Sequence, residues 1–331
     1  MIWVAVDAMG GDYAPRLVVD GALAAVRDFE FGVALVGPAD LLGAELRRHS
    51  DVDARRVRVV DAPDVVTMDE SPAAALRRKP AASIKVAADA VARGEASALF
   101  SAGHTGATVM AAHAAFGMLP GVDRPALAAT IPSGDRLGIL LDVGANADCR
   151  SQHLLQFAAM GAVYAKVSLG VQRPRIGLLS IGEEEGKGNE LIRDAHRLLK
   201  ASTLNFIGNV EAREVYKGNA DVIVCDGFTG NIALKASEGL VDTVERLLEE
   251  ELNRTFSGMV GSLLSRRAFR RFRRRLDYSE YGGAPLLGVA GVCIVGHGRS
   301  SAKAVRNAVA MAHRFATAGF LQRVEHEIAA A

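Results

Sequence analysis

The chain opens with the stretch IWVAVDAMGGD (residues 2–12), in which an apolar run of strand length ends in a loop of glycine and aspartate. Similar runs recur along the 331 residues and alternate with stretches of helical spacing. Strands that are apolar on both faces and alternate with helices are typical of a largely parallel sheet with helices on both sides. The sequence therefore predicts an α/β fold.

The predicted strands span residues 2–6, 32–36, 57–60, 98–100, 138–141, 176–179, 205–207, 222–224 and 292–295. Helical spacing is clearest over residues 83–93, 152–166, 190–201, 231–252 and 302–318. No fixed-period repeat or Pro/Ser-rich linker divides the chain. We therefore expect one catalytic unit over residues 1–331, whose lobe boundaries the sequence leaves open.

Most of the predicted strands are followed by polar, glycine-rich loops, at residues 7–12, 101–106, 142–146, 180–190, 208–211, 226–231 and 296–300. Ligands of open α/β sheets bind outside the carboxyl ends of the strands, so that these loops should converge on one site. Glycine beside Ser, Thr or Asn at a helix start lets backbone N–H groups approach an anion, which the helix dipole also attracts. One such loop is more often a tight turn, but the whole set indicates a phosphate or oxyanion site.

Lys187, between Gly186 and Gly188, is the predicted phosphate-binding cation. The alternative is a solvated lysine that neutralises the glutamates at positions 183–185. The spacing of its glycines is too short for a Walker A loop, so that ATP binding is not predicted.

Acidic residues also crowd these loops and could bind a divalent metal, orient donors or cap helices. Capping is the simplest interpretation for Asp12, which precedes Pro15, and for Asp226, which precedes a predicted helix. No diagnostic spacing such as HExxH occurs, and neither a metal nor another cofactor is predicted.

No serine stands in a GxSxG elbow, and the three cysteines, Cys149, Cys225 and Cys293, have no nucleophile signature and no disulfide or zinc spacing. We interpret them as packing residues. His104 and His297 lie inside glycine-rich loops, where an imidazole could donate to an oxyanion or protonate a leaving group.

The charges are nearly balanced, with 39 basic and 38 acidic residues and a net charge of +1. Such a chain has no global attraction to nucleic acid, and no apolar run is long enough to span a bilayer. We expect a cytoplasmic protein that does not bind nucleic acid.

One segment departs from this balance. Residues 259–276 place apolar side chains at near-helical spacing among arginines at positions 266, 267, 270, 271 and 273–275. An amphipathic basic helix can lie on an anionic membrane or receive an acidic protein. We predict a docking segment here, the alternative being a solvated basic face.

Taken in order, the motifs resemble those of the phosphate acyltransferase (PlsX) family. The matching segments are VAVDAMGGDYAP (4–15), SAGHTGA (101–107), LDVGANADC (141–149), GEEEGKGNE (182–190), GNVEAR (208–213), CDGFTGNIALK (225–235) and YGGAPLLGVAGVCIVGHGRSSAKAV (281–305). The sequence carries His104 where asparagine is more usual in that family.

The resemblance implies a two-lobed α/β/α fold similar to that of isopropylmalate dehydrogenases and phosphotransacetylases, in a homodimer. It implies transfer of a long-chain acyl group from acyl carrier protein to inorganic phosphate, giving an acyl phosphate for phospholipid synthesis. The product would pass to a glycerol-3-phosphate acyltransferase. From their basic amphipathic pattern, we expect residues 259–276 to dock on the anionic inner face of the membrane, on the carrier protein, or on both.

This reaction needs no enzyme nucleophile, because phosphate is already anionic and a thiol with a pKa of about 8.5 is a good leaving group. From residue type and position, we expect Lys187 to bind phosphate and stabilise charge, with His104, Asn146, Asn209 and His297 as candidates to orient the acyl carbonyl. The expected substrate-binding residues are Gly10, Gly11, Asp12, Ser101, Gly103, Thr105, Gly106, Asp142, Glu190, Asp226, Thr229, Gly230 and Asn231.

Three alternatives remain open from the sequence. A phosphotransacetylase that uses short acyl-CoA would have no need of the basic segment. A dehydrogenase is disfavoured because no GxGxxG follows a strand. A non-catalytic membrane scaffold would leave the glycine-rich loops without a role.

Overall fold

The computed structural model describes residues 1–255, 257–258, 261, 264–267, 269 and 281–330. The strands in these residues are β1 (Trp3–Asp7), β2 (Gly32–Gly37), β3 (Val57–Asp61), β4 (Ala98–Ser101), β5 (Ala126–Ser133), β6 (Arg136–Leu141), β7 (Ile176–Ser180), β8 (Phe206–Glu211), β9 (Val222–Val224), β10 (Ala284–Leu287) and β11 (Val292–Val295).

The helices are α1 (Arg16–Asp28), α2 (Ala39–Leu46), α3 (Pro72–Arg78), α4 (Ser83–Ala92), α5 (Thr105–Phe116), α6 (Ser151–Tyr164), α7 (Glu190–Ala201), α8 (Gly227–Asn253), α9 (Ala302–Thr317) and α10 (Phe320–Ala330). Every predicted strand and helix is present with small shifts of its ends. Strands β5 and β10 were not predicted.

All the strands form one sheet in the order β3-β2-β1-β4-β11-β10-β5-β6-β9-β7-β8. Two groups within it are parallel, β3-β2-β1-β4-β11 and β6-β9-β7-β8. Between them every pairing is antiparallel, from β11 to β10, β10 to β5 and β5 to β6. The two groups therefore run in opposite directions, and each forms the sheet of one lobe.

The register brings the carboxyl ends of the two groups to the same level. Val295, the last residue of β11, pairs with Ala284, and Leu286 of the same strand β10 pairs with Leu127. Leu141, the last residue of β6, pairs with Ala128. The loops after β11 and β6 thus leave the sheet on either side of β5 and β10.

Helices cover both faces of the sheet. Hydrophobic side chains of α1, α6 and α9 pack on one face, around Phe157 and Phe315, and those of α4 and α5 pack on the other. Helix α8 is far more exposed than these helices, because just two of its 27 residues, Gly227 and Gly230, are buried. The predicted two-lobed α/β/α architecture is confirmed.

Candidate active site

A cleft of about 480 Å³ opens where the two strand groups meet, within the usual size range of about 300–1,000 Å³ for small-molecule sites. One wall carries the loops after β1, β4 and β11, and the other carries the loop after β6 and the first turns of α8. Strands β5 and β10 form the floor. The predicted site residues that line it are Asp12, Gly103, Thr105, Asn231 and His297.

The loops of the first wall fit against one another. The backbone N–H of Asp12 donates to the carbonyl oxygen of Gly298 over 2.7 Å. A Cβ atom on Gly10 would lie 2.6 Å from the amide nitrogen of Gly103, so that no larger residue fits there. Gly11 follows and packs against Gly298. Three successive strands of the sheet therefore end in one continuous backbone surface.

Two residues of this wall, Asp12 and Ser101, make contacts other than those that the sequence predicts. Helix α1 begins after Pro15 without a side-chain cap, so the prediction that Asp12 caps it is wrong. Its exposed carboxylate instead stands in the cleft wall beside Gly298. Ser101 is fully buried, and its hydroxyl donates to Asp7 over 2.7 Å and accepts from the N–H of Gly103. Ser101 therefore shapes the loop from below.

Asp7 lies under this wall and is 3% exposed. Burial raises the pKa of its carboxyl group, and hydrogen bonds from Ser101, Ser83 and the Met9 amide oppose that rise. The two wall loops are thereby tied to a buried carboxyl group.

The two histidines share one backbone arrangement. Nδ1 of His104 accepts from the N–H of Gly106, and Nδ1 of His297 accepts from the N–H of Arg299, each over 3.1 Å. A ring nitrogen that accepts a hydrogen bond carries no proton, so the neutral ring has its proton on Nε2. Both imidazoles are thus held as Nε2–H donors. His297 lines the cleft, whereas His104 caps α5 beside a small cavity next to Asp7.

The opposite wall is organised by Asp142, which is fully buried. Its carboxylate accepts hydrogen bonds from the backbone N–H groups of Leu127, Gly144, Ala145 and Asn146, and from the Asn146 side chain. Burial nevertheless raises the pKa of Asp142. Asp142 therefore holds the loop that places Gly144 in the cleft and has no surface for a substrate.

Asn146 belongs to the same network. Its amide nitrogen donates to Asp142 and to the carbonyl oxygen of Pro125, over 2.9 Å and 2.6 Å. Both amide hydrogens are used, and in this conformation none remains for an acyl carbonyl. Its structural role is to hold the loop after β6.

The start of α8 completes this wall. Asp226 caps the helix as predicted, because it accepts from the backbone N–H and the hydroxyl of Thr229. Gly230 packs directly on the carbonyl oxygen of Asp142. One face of α8 then lines the cleft with Asn231, Leu234, Lys235 and Glu238, at the helical spacing of three and four residues.

Lys187, Glu190 and Asn209 do not line this cleft. Their loops follow β7 and β8, the strands farthest from the centre in their group, and β7 lies two strands or about 10 Å from β6. Lys187 is exposed, and its neighbour Glu185 pairs with Lys200 at 2.9 Å. Asn209 contacts the ring of His196 and donates to the carbonyl oxygen of Glu184. The roles predicted for these three residues stay predictions.

The cleft contains two cations that the loop motifs did not single out, Lys235 and Arg299. Lys235 stands on α8, one turn after Asn231, and Arg299 stands in the loop after β11. Both side chains are exposed, and neither forms an ion pair with another described residue. Helical spacing from Asn231 was the signal in the sequence that could have identified Lys235.

The thiol groups are unsuited to nucleophilic attack. Burial raises the pKa of Cys149 to about 11 and that of Cys293 to about 12, and it raises the pKa of Cys225 as well. A thiol attacks as its thiolate, which is scarce in all three near neutral pH.

No cluster of potential metal ligands is found in the part of the chain that the structure describes. Among the same residues, no helix has the length and apolar character needed to cross a bilayer. Most of the predicted docking segment, residues 259–276, lies outside the described residues.

The fold and the cleft define a class, a two-lobed α/β enzyme whose central cleft is lined by glycine-rich loops and two cations. Residues 2–323 match the model of a family described as fatty acid synthesis protein. The phosphate acyltransferase of Acidobacterium capsulatum is 50% identical over 327 residues, which cover 99% of this chain and 97% of that protein. The phosphate acyltransferase of Geobacter sp. strain M21 is 47% identical over 325 residues, covering 98% and 92%. The chain belongs to the phosphate acyltransferase family and is an acyltransferase.

Solved structures are similar at the level of the fold. A phosphotransacetylase from Streptococcus pyogenes has a TM-score of 0.64 at 16% identity and covers 96% of this chain and 94% of its own. The EutD phosphotransacetylase from Staphylococcus aureus has a TM-score of 0.61 at 15% identity, covering 95% and 94%. The names of the sequence relatives do not favour the phosphotransacetylase, dehydrogenase or scaffold alternatives.

Proposed function

We propose that this enzyme transfers a long-chain acyl group from acyl carrier protein to inorganic phosphate, giving an acyl phosphate for phosphatidic acid synthesis. The observation that carries the proposal is the central cleft, where the glycine-rich loops of one lobe face Lys235 of the other, with Arg299 beside them. Membership of the phosphate acyltransferase family supports the same reaction.

The chemical step is direct. A phosphate oxygen attacks the thioester carbonyl carbon, the new C–O bond forms and the C–S bond breaks. The sulfur leaves as a thiolate and takes a proton from solvent. The enzyme contributes proximity between two anionic or polar reactants and donors for the tetrahedral oxyanion.

Phosphate lies between Arg299 and Lys235, beside the glycine-rich loops of the first wall. Nε2–H of His297 is held in the orientation of a donor by the Arg299 amide and acts on the oxyanion. Thr105 and Asn231 line the same space and contact the reacting groups. Lys187 retains its predicted role only if phosphate also reaches the loop after β7.

The test is incubation of the enzyme with palmitoyl-acyl carrier protein, with and without phosphate, and trapping of the product as a hydroxamate. We expect thiol release to require phosphate and to equal hydroxamate formed. Equal thiol release without phosphate would identify a thioesterase. Acetyl-CoA in place of the carrier thioester tests the phosphotransacetylase alternative, and we expect it to be a poor donor.

The proposed assembly is a homodimer that buries α8. Leu240, Val244 and Leu247 form a stripe on this helix, at a spacing of four and three residues, and are 64%, 46% and 49% exposed. A second copy would remove this stripe from water. We expect Val244→Glu to convert a dimer into a monomer in sedimentation velocity, and a monomeric parent would refute the assembly.

The proposed membrane contact uses residues 259–276, through which the enzyme sits at the cytoplasmic face beside a glycerol-3-phosphate acyltransferase. In its described part Leu264 is 81% exposed and stands next to Arg266 and Arg267. Each basic residue near an anionic surface contributes about 1 kcal/mol. Leu264→Ser should weaken co-sedimentation with anionic liposomes and spare activity on a soluble donor. Unchanged binding would exclude this contact.

A further inference from the structure

The cleft has an apolar part that the chemical step leaves unused. Its floor and far wall present Leu127 and Ala129 of β5, Ala284 of β10, Val143 and Leu234. These side chains lie in or against one hydrophobic cluster on a single face of the sheet. An open apolar surface beside a polar site is typical of a ligand that combines both characters.

The apolar floor begins where the anion loop begins. Val295 ends β11 and pairs with Ala284, and the next residues, 296–300, form the loop that carries His297 and Arg299. Since Leu286 pairs with Leu127, the antiparallel register places Ala284 level with Ala129. The floor therefore leads from the anion loop across β10 to β5, and Leu234 of α8 stands over it.

The smallest side chains of the floor are those of Ala129 and Ala284. Leu127 on the same strand face, Val143 after β6 and Leu234 on α8 are all larger and border these two alanines. Ala129 lines the cleft and, at 8% exposed, belongs to the hydrophobic cluster beneath it. Because both alanines line the cleft, we expect a larger side chain at either position to extend into it.

We propose that this floor binds the fatty acyl chain of the donor and that Ala129 and Ala284 set the chain length the enzyme accepts. The proposal rests on the proposed function, because it takes the thioester carbonyl to lie at the loop of residues 296–300. From there the fatty acyl chain runs across β10 and β5 under Leu234. The methylene groups leave water on entering the floor, which favours long donors over short ones.

The magnitude follows from the size of the substitution. Ala129→Leu adds three carbon atoms to the floor and displaces about as many methylene groups. Burial of each methylene is worth about 0.8 kcal/mol, or roughly a factor of four in kcat/KM. We expect Ala129→Leu to lower the palmitoyl to octanoyl ratio of kcat/KM about 50-fold, with octanoyl transfer retained.

The experiment measures this ratio with palmitoyl- and octanoyl-acyl carrier protein at saturating phosphate. Ala92→Leu makes the same change on the exposed surface of α4 and should leave the ratio at the parent value. Arg299→Gln should slow both donors by the same factor, because it acts on phosphate.

An unchanged ratio in Ala129→Leu would overturn the proposal, as would an equal loss with both donors in Ala284→Val, which enters the same floor from β10. That second variant decides the matter if Ala129→Leu is inactive. An equal loss would assign the floor to the pantetheine arm common to all donors. None of these outcomes changes the formation of acyl phosphate by the parent enzyme. The proposed function is therefore tested independently, by the requirement of the parent enzyme for phosphate.

Discussion

Phosphate binding by Arg299 and Lys235 gives a quantitative test of the cleft. The loop that carries Arg299 is held by hydrogen bonds to both ends of His297: the Arg299 N–H to its ring, and the Ser300 N–H and hydroxyl to its carbonyl oxygen. Little backbone rearrangement is therefore expected after Arg299→Gln. A hydrogen bond to a charged group contributes about 1.5–3 kcal/mol, so that kcat/KM for phosphate should fall about 10- to 150-fold.

Lys235→Gln should have an effect in the same range, because Lys235 faces the same cleft from α8. If both cations contact one phosphate, kcat/KM of the double variant should fall by less than the product of the two single fold-losses. The difference corresponds to a coupling free energy of about 0.5–3 kcal/mol. The assay is the initial rate of hydroxamate formation against phosphate concentration at fixed palmitoyl-acyl carrier protein. Circular dichroism and the melting temperature report on folding of each variant.

Lys187→Gln is the informative comparison. Lys187 lies in the loop after β7, outside the cleft. Because an exposed charge there is screened by solvent and salt, its removal should change the KM for phosphate by less than about threefold. The sequence motif alone predicts a loss of about a hundredfold, as for a cation that stabilises the transition state. A large effect of Lys187→Gln together with a small effect of Arg299→Gln would refute the cleft assignment and move phosphate to the β7 loop.

Three further predictions concern the framework of the site. Gly230→Ala places a Cβ atom 1.9 Å from the carbonyl oxygen of Asp142 and should destabilise the fold by about 3 kcal/mol or more in urea denaturation, whereas Gly239→Ala, with open space on the same helix, should stabilise it by up to about 1 kcal/mol. Because burial raises the pKa of Asp7 above its unfolded value of 3.8, its contribution to stability is full below that value and is lost as pH rises through the folded pKa. Asp7→Asn should therefore gain stability relative to the parent as pH rises above 3.8, and a pH-independent difference would contradict this reasoning. Single changes to alanine should leave turnover largely intact at each of Cys149, Cys225 and Cys293, and an acyl-enzyme found by intact mass would argue otherwise.

The strands that could be predicted are those that carry short runs of aliphatic side chains. Val, Ile and Leu make up half or more of β2, β7 and β11, and such runs need no partner to be identified. Strands β5 and β10 read ALAATIPS and APLL, in which alanine and proline give little β signal. Their strand conformation depends on neighbours on both sides, which the sequence does not display.

Because β5 and β10 were not predicted from the sequence, the location of the site was predicted less accurately than the strands. Without them the strands are expected to run in one direction, and all the carboxyl-end loops are expected to converge, including those of Lys187 and Asn209. The antiparallel pairs reverse the second group, so that only the innermost loops, after β6 and β9, meet the first lobe. The residues named from the first lobe thus reached the cleft more often than those named from the second.

The loops also separate residues that hold the site from residues that face it, a distinction the sequence does not carry. Asp142 and Asn146 occupy one glycine-rich motif, as do His297 and Arg299, yet the first two point inward and the last two line the cleft. In the first motif, backbone N–H groups converge on a carboxylate; in the second, the backbone N–H groups are taken by a histidine ring and its carbonyl, which leaves the charged group outside. The same combination of glycine and polar residues can therefore direct its charged side chain into the loop or out into the cleft. Asp142 turns inward because the backbone N–H groups converge on its carboxylate, whereas in the second motif His297 takes the N–H groups of Arg299 and Ser300 and the Arg299 side chain stays outside.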